Sequence, residues 1–220
     1  MRALQAAGGA TLNADEASGG ATATPETVPG DTAPPPVAPS HRALALLTGV
    51  AATALVVDQV TKHYATELLE RGESVRLLGG LIYLSLVRNS GAAFSLGSGY
   101  TWVFPLITIA VIGWIGWMAR TLRSVPWAVS LGLVLGGALG NLGDRLFRAP
   151  GPFLGHVVDM ISLFAPYGDK FAVFNIADSC LSVGVCLAVL LELTNRQRDG
   201  SRSVAPKAAV LDTTTREEKT

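Results

Sequence analysis

Two aspartates sit in apolar surroundings where a charge is costly unless it is used. Asp178 lies in "FNIADSC" (174–180), a short way into a hydrophobic stretch that ends near Leu193. A charge at the centre of a membrane helix costs roughly 3 kcal/mol even on a lenient scale. Asp159, in "GHVVDMIS" (155–162), is bracketed by Val157, Val158, Met160 and Ile161. Two carboxylates that converge cannot easily both ionise, so one keeps a proton while the other activates water. That is the equipment of an aspartic protease. The bland alternatives are a structural Asp178 paired with Arg145 and a surface Asp159.

Polar residues that could serve this pair fall on helical spacing. Asn175, Asp178, Ser179 and Ser182 follow i, i+3, i+4, i+7, which is one helix face. With the helix counted from Phe171, Asp178 falls roughly 10 Å along it. In "GLVLGGALGNLGDRL", Gly132, Gly136 and Gly140 recur every fourth residue, a small-residue stripe of the kind that lets membrane helices approach closely. Asn141, Asp144 and Arg145 follow at its end, as a site or as interfacial polar residues. Other chemistries find little support. The chain has no H-E-x-x-H and no G-x-S-x-G, and "GNLGD" is not G-x-G-D. His41, His63 and His156 are scattered.

The elements that must position these residues read as membrane helices. Only 15% of residues are charged and mean hydropathy is +0.39, against about 25% charged in soluble domains. Ala43–Val57, Trp102–Ala119 and Val125–Gly143 carry no acidic or basic side chain, and Phe171–Leu191 carries only Asp178. A bilayer core needs about 20 helical residues. The expected fold is membrane all-α with four transmembrane helices, and a strand and turn lie at the membrane surface between helices 1 and 2. "LIYLSLVRN", followed by "NSGAAF", supplies the strand and turn.

Residues 1–40 read as a disordered tail without a signal peptide, 41–194 as the four-helix core, and 195–220 as a disordered cytoplasmic tail. Arg42, Arg120, Arg123, Arg196 and Arg198 sit at ends that share one side, which places both termini in the cytoplasm. The long loops, and a site near the outer face, then lie opposite. A net charge of zero excludes an electrostatic case for nucleic acid. Cys180 and Cys186 are six residues apart and point to different helix faces, so no disulfide is expected between them.

"NSGAAFSL" (89–96), "GNLGDRL" (140–146), "GHVVDMIS" (155–162) and "FNIADSCLSVG" (174–184) resemble, in order, the motifs of bacterial lipoprotein signal peptidase, the signal peptidase II family. "DQVTK" (58–62) is similar too, and the likeness covers about residues 42–193. The resemblance implies a monomeric membrane aspartyl endopeptidase of the bacterial cytoplasmic membrane, with four transmembrane helices and a small extracytoplasmic β-rich domain between helices 1 and 2. Its substrate would be a prolipoprotein signal peptide, cut just before a cysteine that carries diacylglycerol in membrane lipid. Asp159 and Asp178 match the catalytic dyad. Asn89, Asn141, Arg145 and Asn175 match active-site support, and Asp58, Lys62 and Asp144 match positions expected to serve positioning and folding. The family has no metal or organic cofactor, and globomycin-type inhibitors occupy its site. Met160 stands where an aromatic is common and Leu181 where isoleucine is usual, with only packing expected to change. The rival readings are a small multipass transporter, with Asp178, Asp144 and Arg145 as an ion relay, and a non-catalytic subunit that uses the glycine stripe.

Overall fold

A computed structural model describes residues 38–70, 72–91 and 101–202. Most of the expected N-terminal tail, the end of "NSGAAFSL" and the chain after 202 lie outside the described residues. The elements are α1 (His41–Leu69), β1 (Val75–Leu77), β2 (Ile82–Asn89), α2 (Val103–Ala119), α3 (Val125–Phe147), β3 (Val157–Leu163) and α4 (Ile176–Leu193). Among the described residues, α1, α3 and α4 are long and apolar enough to cross a membrane, while α2 is an apolar helix of 17 residues.

The first span is longer than its apolar run. Helix α1 has 29 residues, about 44 Å at 1.5 Å per residue. It continues through Asp58, past the end of the charge-free run Ala43–Val57. The polar residues do not end the helix because Asp58 and Lys62, one turn apart, pair at 2.8 Å in the interior.

Helix α3 runs between α1 and α4, and its glycines explain how. A Cβ added at Gly136 would stand 2.6 Å from that of Ala54, and one at Gly132 would stand 2.8 Å from the Leu47 carbonyl oxygen. The stripe is therefore the α1–α3 contact, as the four-residue spacing suggested. On the other side Gly137 backs onto Ala177 and Leu181 of α4, and Gly184 of α4 backs onto Val134 of α3. Leu47, Ile115, Leu122, Trp127, Leu131 and Leu191 fill the core at the opposite end of the bundle from the sheet.

The sheet differs from expectation. Its antiparallel order is β1-β2-β3, so the third strand comes from the α3–α4 connection rather than from the chain between α1 and α2. The run "VVDMIS" pairs because its β-branched residues suit a strand, and Val87 falls opposite Asp159, Asn89 opposite Val157. Helix α4 also starts later than its apolar run. Asn175 is the N-cap, outside the helix, and Asp178 lies in the first turn rather than two turns in. Cys180 and Cys186 are free. After α4 the region read as tail begins with a hairpin: Gln197 N donates to Ser201 O at 2.9 Å, and Trp127 Nε1 donates to Arg196 O at 2.7 Å.

Candidate active site

The start of α4 fixes Asp178. The Asn175 side-chain oxygen accepts from Asp178 N at 2.8 Å, and Asp178 Oδ2 accepts from Asn175 N at 3.2 Å, a reciprocal capping box. With its oxygen committed to the cap, the Asn175 amide nitrogen points across to β3. It donates to Asp159 Oδ1 at 2.7 Å, to Val158 O at 3.3 Å and to Asn141 Oδ1 at 3.2 Å. Asn141 Nδ2 in turn donates to Asp178 Oδ1 at 2.8 Å. The two aspartates are thus joined through two asparagines. At the end of β2, Asn89 Nδ2 donates to the other Asp159 oxygen at 2.9 Å, while Asn89 Oδ1 accepts from Gly91 N at 2.8 Å.

Both aspartates open on one cavity of about 220 Å³, shared with Asn89, Asn141 and Arg145. Its apolar wall includes Phe104, Ile107 and Val111 of α2 and Leu181 of α4. The Arg145 guanidinium lies 5.1 Å from the centre of the Phe104 ring. No ion pair joins Arg145 to Asp178 among the described residues, so the structural pairing considered above does not form. Asp159 is 2% exposed. Burial pushes its carboxyl up to about 6, against the Asn89 and Asn175 hydrogen bonds that favour the charged form, and nearby Asp178 adds to the rise.

A second charged cluster lies between α1 and α3, behind the cavity lining: Lys62 Nζ donates to Asn141 Oδ1 at 3.0 Å. Lys62 Nζ is 2.8 Å from Asp58 and 2.9 Å from Asp144, with all three side chains at most 1% exposed. Arg148 Nε reaches Asp144 at 2.6 Å, and Gln59 Nε2 donates to Asp58 at 3.2 Å and to Gly140 O at 3.1 Å. The sequence reading missed Gln59, Arg148 and Phe104. Arg148 was findable, since it stands one turn after Asp144 and pairs there. Nothing in local spacing marks Phe104. Met160 packs with Ala65 and Val158, whereas Leu181 reaches the cavity, so the change there touches the site's wall.

Apolar helices long enough to cross a membrane and a small antiparallel sheet frame a cavity that holds two carboxylates, the frame of a membrane-embedded protein. The sequence model of the family Signal peptidase (SPase) II matches residues 50–194. A lipoprotein signal peptidase of Mycobacterium avium is 50% identical over 77% of this chain and 89% of its own length. One from Mycobacterium tuberculosis is 46% identical over 81% and 87%. A solved bacterial membrane enzyme structure superposes with a TM-score of 0.61 at 27% identity, covering 77% of this chain and 99% of the other. The chain belongs to the signal peptidase II family and is a peptidase. These relatives do not favour the transporter reading.

Proposed function

We propose that this protein removes the signal peptide from diacylglyceryl-modified prolipoproteins, cutting just before the lipidated cysteine by aspartyl chemistry. The observation that carries this reading is the convergence of Asp159 and Asp178 on one cavity through Asn141 and Asn175. Burial favours the protonated form of Asp159, so Asp159 donates to the scissile carbonyl oxygen. Asp178 takes a proton from the water held between them as that water attacks the carbonyl carbon. The tetrahedral intermediate then collapses as a proton passes to the leaving amine and the C–N bond breaks. Arg145, Asn89 and the bridging asparagines hold the substrate backbone, and the acyl chains stay in the bilayer beside the apolar wall of α2.

In this reading α2 is the fourth membrane span, completed by interfacial residues at its ends. The termini are cytoplasmic, and the cavity opens near the outer face of the cytoplasmic membrane. Globomycin-type peptides would occupy the same cavity.

The test uses purified protein in detergent with a diacylglyceryl-modified prolipoprotein, read by gel shift. Wild type, Asp159→Asn and Asp178→Asn run side by side, each checked by thermal melt. Cleavage by wild type alone supports the dyad. Normal cleavage by either folded variant overturns it.

A further inference from the structure

We propose that Lys62 is a positioning residue: its ammonium is the single point from which both catalytic aspartates are held in register. This rests on the aspartyl reading above. An ammonium has three donors, and all three are used here, on Asp58 Oδ2 at 2.8 Å, Asp144 Oδ2 at 2.9 Å and Asn141 Oδ1 at 3.0 Å.

What each acceptor does next separates this cluster from an ordinary buried ion pair. Asp58 Oδ1 accepts the backbone N–H of Ala177 at 2.9 Å, the residue immediately before Asp178. Asp144 Oδ2 accepts the backbone N–H of Val158 at 3.1 Å, the residue immediately before Asp159. Asn141, its oxygen held by Lys62, must turn its nitrogen toward Asp178, which it meets at 2.8 Å. A flipped amide would aim N–H donors at an ammonium. Three arms thus leave one nitrogen and end at, or one residue from, the two carboxylates. One arm grips the start of α4, one grips β3, and one orients the bridging amide. Lys62 and Asp58 are fully buried, so no solvent competes for these bonds.

A buried ion cluster is weak grounds for stability, since apolar residues often replace one without loss. Positioning makes a different demand, because misplacing a catalytic group by about 1 Å can cost about 100-fold in rate. Lys62 also acts on Asp159 at a distance. The charged groups facing that carboxyl are Lys62 from α1, Arg145 from α3 and Asp178 from α4. Removing the Lys62 charge therefore moves the pH at which Asp159 loses its proton upward, and a purely structural role would not.

The experiment compares wild type, Lys62→Met and the double variant Lys62→Met/Asp58→Asn. The double variant leaves Asp144 paired with Arg148 and keeps an oxygen for the Ala177 N–H. Melting temperature, kcat, KM and the pH profile are measured on a diacylglyceryl-modified prolipoprotein, with Asp159→Asn and Asp178→Asn alongside. The expected result is a folded double variant with kcat down about 100-fold and KM within about threefold, and, in Lys62→Met alone, an alkaline limb of the profile shifted to higher pH. A folded double variant with near wild-type kcat overturns the proposal, as does an unmoved limb in folded Lys62→Met. So does failure of both Lys62 variants to fold, which would assign Lys62 to stability alone. Should the aspartate variants still cleave, the aspartyl reading itself falls, an outcome distinct from either.

Discussion

Four aspartates lie close together at one end of the helix bundle, and they divide into two pairs with opposite treatment. Asp58 and Asp144 are fully compensated: Lys62 touches both, Arg148 adds a second cation to Asp144, and backbone N–H groups fill further sites. Asp159 and Asp178 receive only neutral donors, from Asn89, Asn141, Asn175 and backbone, and they face a cavity. Burial with only neutral partners at contact distance raises the Asp159 carboxyl to about 6, whereas Lys62 and Arg148 place positive charge directly against Asp58 and Asp144. The difference teaches that burial alone does not distinguish the two pairs: among the described residues a cation reaches Asp58 and Asp144 directly, and none pairs directly with the two carboxylates on the cavity.

The sharpest way to break this contrast is to neutralise each pair and read activity against stability. Asp159→Asn or Asp178→Asn should lower cleavage by about 10²–10⁴-fold, the usual range for losing a general acid or base, with both variants still folded at the pH of the assay. Asp144→Asn should do the reverse in emphasis. Taking one partner from a buried ionic cluster costs about 3–5 kcal/mol, visible as a large drop in melting temperature in detergent. If the stability losses fall on the cavity pair instead, the division is wrong.

A pH series sharpens it further. Asp159 has a raised value in the fold, so its contribution to stability is full below its ordinary 3.8 and is lost as pH rises through about 6. A shift of this size corresponds to about 3 kcal/mol. Relative to wild type, Asp159→Asn should therefore gain melting temperature between pH 4 and pH 7. A constant difference across that range would deny the buried, cation-free setting.

The smallest test separates two glycines of α3. A Cβ at Gly140 would stand 2.5 Å from Asp58 Oδ2, an oxygen that Lys62 holds in place. Gly140→Ala should cost about 1–3 kcal/mol by overpacking. At Gly143 nothing lies within 4 Å of the added methyl, so Gly143→Ala should be neutral or stabilising by up to about 1 kcal/mol through helix propensity. Equal melting temperatures for the two would place the compensated cluster elsewhere than against α3.

Much of the site was legible wherever its contacts are local. Asn175 and Asp178 stand three apart because a capping box needs that spacing, although helical periodicity alone placed both within the helix rather than at its start. Asp58 and Lys62 stand four apart because one helical turn brings them together, yet the charge-free run that marks the span stops at Val57, before both. Hydropathy treats charges one at a time and cannot register that two of them cancel. The apolar runs, the glycine stripe and the candidate carboxylates follow from composition and period, which the chain carries residue by residue. The meeting of Asn89 with Asp159, 70 positions apart, and of Asn141 with Asn175, 34 apart, does not. Those contacts exist because β3 pairs with β2 in one register and α3 packs between α1 and α4. Only the packed molecule decides which of its carboxylates a cation reaches, because that depends on distances between elements and not on order along the chain.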